Sequence, residues 1–339
     1  MAIKKILVRA PNWIGDAVMC LPALASLAEL YPSSEIFVLA KPRVVPVFEK
    51  NPAVSGIITV EGRRHKGLFG TIRLSWELRD KDFDLAVLFQ NAFGAAFISL
   101  LGAARERVGY ARDLRSGLLT RAIPASGEIM KKHQVFYYLN IIKELGGSVP
   151  EKPVPQIHIT SEEAAEAAMF LEKNGLAGKP VFGAAPGASY GPSKRWPPER
   201  FASVLKGLTD EYGGGALVFG GPEDKEACAR VKESMPSAID LSGKMQLRKS
   251  IALISQMSAF VTNDSGPMHL SAALGVPTAA VFGSTEDSLT GPVGRKAASV
   301  REKIDCSPCF KRECAFGHYD CLKRVEAGRV LAIAKELMK

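Results

Sequence analysis

No apolar run in this 339-residue chain reaches the roughly 18–20 residues that a membrane span needs. The opening stretch is interrupted by Lys4, Lys5, Arg9 and Pro11, which leaves too short an apolar core for a signal peptide. A cytoplasmic protein is therefore expected. Two nucleotide signatures are missing as well. Without G-x-G-x-x-G there is no dinucleotide fingerprint, and a dehydrogenase is disfavoured. Without G-x-x-x-x-G-K-[ST], NTP hydrolysis is not indicated. The chain has no low-complexity tract, no recognised nucleic-acid motif and no basic stripe interleaved with aromatics, so nucleic acid is not the expected partner.

What is present is ordinary globular composition, 47% hydrophobic and 23% charged, with a formal net charge of +9. That excess suits an anionic partner: a phosphorylated substrate or an acidic membrane surface. It is uneven. Arg63, Arg64 and Lys66 cluster, and Arg105, Arg107, Arg112, Arg115, Arg121, Lys131 and Lys132 follow within one segment. A solvated face is the competing reading of both. Four of the six cysteines are packed as C-x2-C-x4-C-x6-C at Cys306, Cys309, Cys314 and Cys321. Disulfides are disfavoured in a cytosolic chain. Zinc is the alternative, with His318 as a spare ligand, but the spacing fits no standard zinc knuckle closely. No metal is expected, and buried packing is the reading preferred for these thiols.

Strand-like and helix-like segments alternate along the whole chain. The first half reads as strands at 5–8, 35–40, 57–60, 84–90 and 107–110, with a helix running from the 9–15 loop to about Leu30. Val135, Tyr138, Leu139 and Ile142 mark an amphipathic helix over 133–145. Residues 146–155, with three prolines and no periodicity, read as a linker. The expected domains are 1–150 and 151–339, the last helix packing on either. Continued alternation in the second half predicts two doubly wound α/β, Rossmann-like domains facing an interdomain cleft.

Ligand-type residues fall where such strands end. Gly15-Asp16 sets a carboxylate at a helix start, where an acid complements the helix dipole and also suits a general base. The glycine-rich segment 184–201 carries Ser189 and Lys194, a lysine placed to pair a diphosphate or, alternatively, to lie on the surface over Trp196. Glu223 follows a third strand end, either receiving ribose hydroxyls or beginning a helix. The segment 259–283 reads as strand, turn, helix, strand, a βαβ unit with Asp264, Ser265 and Gly266 at the turn and His269 in the first helical turn. There, too, a plain N-cap by Asp264 or Ser265 competes with ligand binding.

The runs K-I-L-V-R-A-P-N-W-I-G-D-A-V-M-C-L-P-A-L, P-G-A-S-Y-G-P-S-K-R-W-P, N-D-S-G-P-M-H-L-S-A-A-L-G-V-P and C-S-P-C-F-K-R-E-C-A-F-G-H-Y-D-C resemble the lipopolysaccharide heptosyltransferases of glycosyltransferase family 9. The matching motifs span Lys5 to Cys321. The resemblance implies a GT-B fold, the acceptor on the N-terminal domain, the donor ADP-L-glycero-D-manno-heptose on the C-terminal one, and inversion without a cofactor. It implies transfer to the first heptose of the anionic inner core at the inner face of the cytoplasmic membrane. Type I, III or IV transfer, or a GT-B-like nucleotide-sugar epimerase, are the alternatives. By the same resemblance Asp16 is the catalytic base and Lys194 holds the donor phosphates. Asp264, Ser265, Gly266 and His269 match the donor motif, Ser189 and Glu223 more loosely. Arg63, Arg64 and Lys66 are assigned to the anionic acceptor.

Overall fold

The computed structural model describes residues 2–339. The chain forms two compact units, Met1–His158 and Ile159–Lys339. In the first, six parallel strands are β1 (Lys5–Arg9), β2 (Glu35–Ala40), β3 (Gly56–Thr59), β4 (Leu85–Leu88), β5 (Glu106–Tyr110) and β6 (Arg121–Ile123). Their order is β3-β2-β1-β4-β5-β6. In the second unit β7 (Val181–Ala185), β8 (Gly215–Val218), β9 (Ile239–Asp240), β10 (Ala259–Asn263), β11 (Thr278–Phe282) and β12 (Ala297–Arg301) lie in the order β12-β11-β10-β7-β8-β9. Both are the same doubly wound arrangement. In each, the strand order reverses between the two central strands, β1 and β4 in one and β7 and β10 in the other.

Parallel strands covered by helices on both faces are apolar throughout rather than alternating. β7, β10 and β11 are accordingly buried at every position. Alternation survives as a division between two cores, since successive side chains point to opposite faces. Phe182, Ala184, Ala259 and Val261 join one core with Trp196, Phe201 and Leu205, while Val181, Ala185 and Phe260 join the other with Phe219 and Leu253. Each fully buried Leu, Val or Phe contributes about 1.5–3 kcal/mol. The final helix, Ala327–Met338, packs in the second unit, on the helix Pro198–Tyr212 and on β10, β11 and β12.

Three details differ from the sequence reading. The first helix is two, Ile14–Met19 and Leu21–Leu30, divided at Cys20, because Pro22 has no N–H to continue the ladder. The short strand β6, with two of its three residues exposed, carries no hydrophobic pattern and went unseen. The basic segment 105–132 is not simply a solvated face. Arg115 is fully buried, donating to the Tyr110 and Gln90 carbonyls and to Asn91 Oδ1.

Candidate functional site

In doubly wound sheets ligands bind beyond the carboxyl ends of the strands at the point where the order reverses. In the first unit the loop after β1 carries Asp16, half-buried in the first turn of Ile14–Met19. Its Oδ1 accepts the Tyr138 hydroxyl at 3.1 Å. Tyr138 is buried, with its ring edge-on to Phe89. Burial first, and then the Asp16 charge, push its phenol well above the usual range, so it stays a donor that stabilises the ionised carboxylate. The loop itself is fixed by Arg9, whose buried guanidinium donates to the Ala10 and Leu39 carbonyls at 2.8 and 3.0 Å and to Asn12 Oδ1 at 3.1 Å. Burial lowers Arg9 to about 10. Trp13, 49% exposed beside Asp16, has the Arg43 guanidinium over its ring at 4.7 Å.

Arg63, Arg64 and Lys66 are exposed in the loop after β3, two strands from β1, a lateral distance of about 10 Å at strand spacing. Arg64 is engaged by Glu77 at 2.7 Å.

In the second unit the two central strands deliver the groups that segment 184–201 and segment 259–283 promised. Lys194 Nζ meets Asp264 Oδ2 at 2.5 Å, the two side chains only 12% and 4% exposed. The Thr285 hydroxyl, after β11, donates to the same oxygen at 2.5 Å. Lys194 also lies 4.7 Å from the Tyr190 ring centroid. The surface-lysine alternative therefore fails, and Trp196, fully buried, donates its indole N–H to the Val325 carbonyl instead. The N-cap alternative fails too. Ser265 occupies the cap position of helix Gly266–Ala273 without a side-chain capping bond, its hydroxyl turned to the Asn263 carbonyl at 3.3 Å. In the first turn Pro267 has no N–H and the Met268 N–H donates to the Ser265 carbonyl at 3.1 Å, so backbone rather than a side chain meets this helix start. Pro267 sits at its second position, and Gly275, with φ +75°, follows its end in the left-handed region. His269 is buried on this helix.

Ser189 and Glu223 stand together, the hydroxyl donating to Glu223 Oε1 at 3.4 Å, and Glu223 lies in the middle of the short 3₁₀ turn Pro222–Asp224. The next residue is one that sequence reasoning passed over. Asp224 accepts the Gly221 N–H at 3.0 Å, its other oxygen is buried without a partner among the described groups, and burial raises its pKa. A Cβ on Gly187 would fall 2.1 Å from that carboxylate, so only glycine lets the loop pass. Asn263 was missed in the same way. Its amide accepts the Trp196 N–H at 3.0 Å and donates to the Pro186 carbonyl at 2.7 Å, tying the lysine loop to β10. The signal for it was available in N-D-S-G: a polar side chain closing an otherwise apolar strand.

The chemistry on offer is a carboxylate with a donor behind it in one unit, and in the other an ammonium beside a helix N-terminus that no side chain caps, a pairing suited to phosphate oxygens. Two doubly wound units of this kind match the GT-B architecture of glycosyltransferases. The model for glycosyltransferase family 9 (heptosyltransferase) matches residues 71–320, and the chain belongs to this family. Lipopolysaccharide heptosyltransferase 2 of Salmonella typhimurium is 29% identical over 96% of each chain. The solved E. coli ADP-heptose LPS heptosyltransferase II is 28% identical, with a TM-score of 0.83 over 98% of each chain. A family 9 glycosyltransferase from Veillonella parvula superposes with a TM-score of 0.90 at 27% identity, covering 100% of this chain and 98% of that one.

Proposed function

We propose that this enzyme transfers L-glycero-D-manno-heptose from ADP-heptose to the first heptose of the lipopolysaccharide inner core, inverting the anomeric carbon. The similarity to heptosyltransferases 2 over 96% of the chain carries the substrate assignment. The second unit binds the donor and the first unit the acceptor. Asp16, held by Tyr138, takes the proton from an acceptor heptose hydroxyl. The oxygen forms its bond to the anomeric carbon as the bond to the ADP phosphate breaks. Lys194 and the N-terminus of Gly266–Ala273 offset the charge that collects on the departing diphosphate, the larger electrostatic contribution. Asp264 and Thr285 hold the ammonium in place, while Ser189 and Glu223 receive donor hydroxyls. His269 supports the helix whose N-terminus faces the donor. Arg63, Arg64 and Lys66 attract the anionic acceptor. Among the described residues no helix is long and apolar enough to cross a membrane, and peripheral attachment to the inner membrane brings the enzyme to its lipid-linked acceptor.

Mass spectrometry of purified enzyme with ADP-heptose and either heptose-free or one-heptose core acceptors tests this reading. Extension of the one-heptose acceptor alone is expected; extension of the heptose-free acceptor would assign the chain to another heptosyltransferase type. Asp16→Asn should lower turnover by about 10²–10⁴ with donor affinity nearly kept.

A further inference from the structure

The cysteine-rich segment has no part in that chemistry, and one of its thiols joins a core. Cys309 is exposed, Cys306 and Cys314 are half-buried, and Cys321 is buried in the core with Trp196 and Leu322. The expectation of packed thiols holds for Cys321 and not for the other three. All four rim one small cavity, of about 40 Å³, shared with His318 and Ser284.

Local geometry supplies further detail. After Cys314 the chain turns back on itself, the Gly317 N–H donating to the Cys314 carbonyl at 3.1 Å. Cys321 enters from the first turn of the helix Asp320–Lys323. His318 Nδ1 accepts the Asp320 N–H at 2.9 Å. The ring proton then lies on Nε2, 4.0 Å from Cys306 Sγ, where it can donate to sulfur. That is the outer-shell role which orients a ligand, rather than a ligand itself. Among the described residues no three His, Cys, Asp or Glu side chains already converge as a ligand set. The thiols stand open around the void, and a change of χ1 well swings each sulfur without moving the backbone.

The same segment is bonded to the donor loop. The Ser193 N–H and hydroxyl donate to the Arg312 and Lys311 carbonyls at 3.1 and 2.5 Å. The Tyr190 hydroxyl donates to the Phe310 carbonyl at 2.6 Å, and the Cys309 and Phe310 N–H groups converge on the Ser284 carbonyl. Gly191, at φ +148°, passes so close that a Cβ would sit 2.5 Å from the Arg312 oxygen. Ser193 immediately precedes Lys194 and Ser284 immediately precedes Thr285, two of the three groups in the Lys194–Asp264–Thr285 cluster.

We propose that Cys306, Cys309, Cys314 and Cys321 bind one soft divalent cation of the zinc class through four thiolates, and that this metal braces the loop presenting Lys194. The metal site stands independently of the heptosyltransferase reading; the brace rests on it. Full-length protein, purified without a metal-affinity step and then stripped with chelator, is titrated with Co²⁺ alone. The expected result is one Co²⁺ per chain with the intense visible absorption of tetrahedral thiolate coordination, displaced by one equivalent of Zn²⁺. Cys309→Ser/Cys314→Ser should abolish that absorption. Silent titration of the stripped wild-type chain, or an undiminished spectrum in the double variant, overturns the site. Calorimetry with ADP then reads the brace, with several-fold weaker binding expected in the stripped protein. Equal affinity with and without metal overturns the brace, whereas heptose-transfer assays that fail while the cobalt spectrum appears count against the proposed function alone.

Discussion

The carboxylate proposed as the base, Asp16, depends on its surroundings, and Tyr138 acts on it directly. Its hydroxyl reaches Asp16 from the helix Gln134–Glu144, 122 residues further along the chain. A hydrogen bond to a charged group contributes about 1.5–3 kcal/mol, and this one favours the carboxylate over the acid. Tyr138→Phe should therefore move the acid limb of the pH–rate profile upward by about one unit and lower turnover modestly, donor KM staying put. If the limb stays where it is, Tyr138 packs rather than tunes. Lys194 presents the complementary case. Removing its charge (Lys194→Ala) should raise donor KM and lower kcat together, because the ammonium meets the diphosphate both at rest and as it leaves. It also leaves Asp264 buried with one partner fewer, so a parallel melting curve is needed to separate lost binding from lost stability.

At the scale of single elements, the second unit opens on the helix Ser161–Lys173. Thr160 and Glu163 form a reciprocal capping box, and Arg248 grips the same carboxylate with two hydrogen bonds of 2.6 and 2.7 Å. The Arg248 hydrogen bonds, helped by the Thr160 N–H against the opposing effect of burial, hold Glu163 down to about 2, from 4.5. A carboxyl whose folded pKa is depressed contributes stability above its unfolded value and loses that contribution as pH falls through the folded one. Glu163→Gln should thus lower the midpoint of denaturant unfolding at pH 7, and the difference from wild type should shrink between about pH 4.5 and pH 2. Thr160→Ala should cost about 1 kcal/mol, the usual value of a lost cap, at any pH where Glu163 stays charged. The contrasting element is Gly266–Ala273, whose cap position has no side-chain bond. One helix start is closed by reciprocal side-chain bonds; the other, at the proposed donor site, has no side-chain cap.

For the molecule as a whole, the division at His158 and Ile159 gives each unit its own sheet and core. Nucleotide binding should stabilise the unit that holds it. At ADP about 100-fold above its dissociation constant the gain is about 2.7 kcal/mol, or roughly 5–10 °C for a unit of this size. Differential scanning calorimetry should show this shift in the transition assigned to Ile159–Lys339, the other transition moving little. A shift confined to the first unit would reverse the donor and acceptor assignments.

The α/β class and the strand-end position of Asp16, Lys194 and Asp264 were legible in the amino-acid sequence, because apolar strands and loop punctuation are local properties of the chain. So was the amphipathic helix over 133–145, which spans Gln134–Glu144. The Asp16–Tyr138 pair, the Lys194–Asp264–Thr285 cluster, the buried Asp224 and the staple made by Asn263 were not. Each joins residues far apart in sequence, Tyr138 from the helix Gln134–Glu144 and the others from different strand ends, and only the packing of helices and the order of strands determine which become neighbours. The cysteines make the same point. The spacing fits no standard zinc knuckle closely, but the chain between Cys314 and Cys321 is taken up in a turn that returns both to the same cavity. Sequence sets which groups are available and in what local conformation; the folding of distant strand ends onto one edge decides which of them meet.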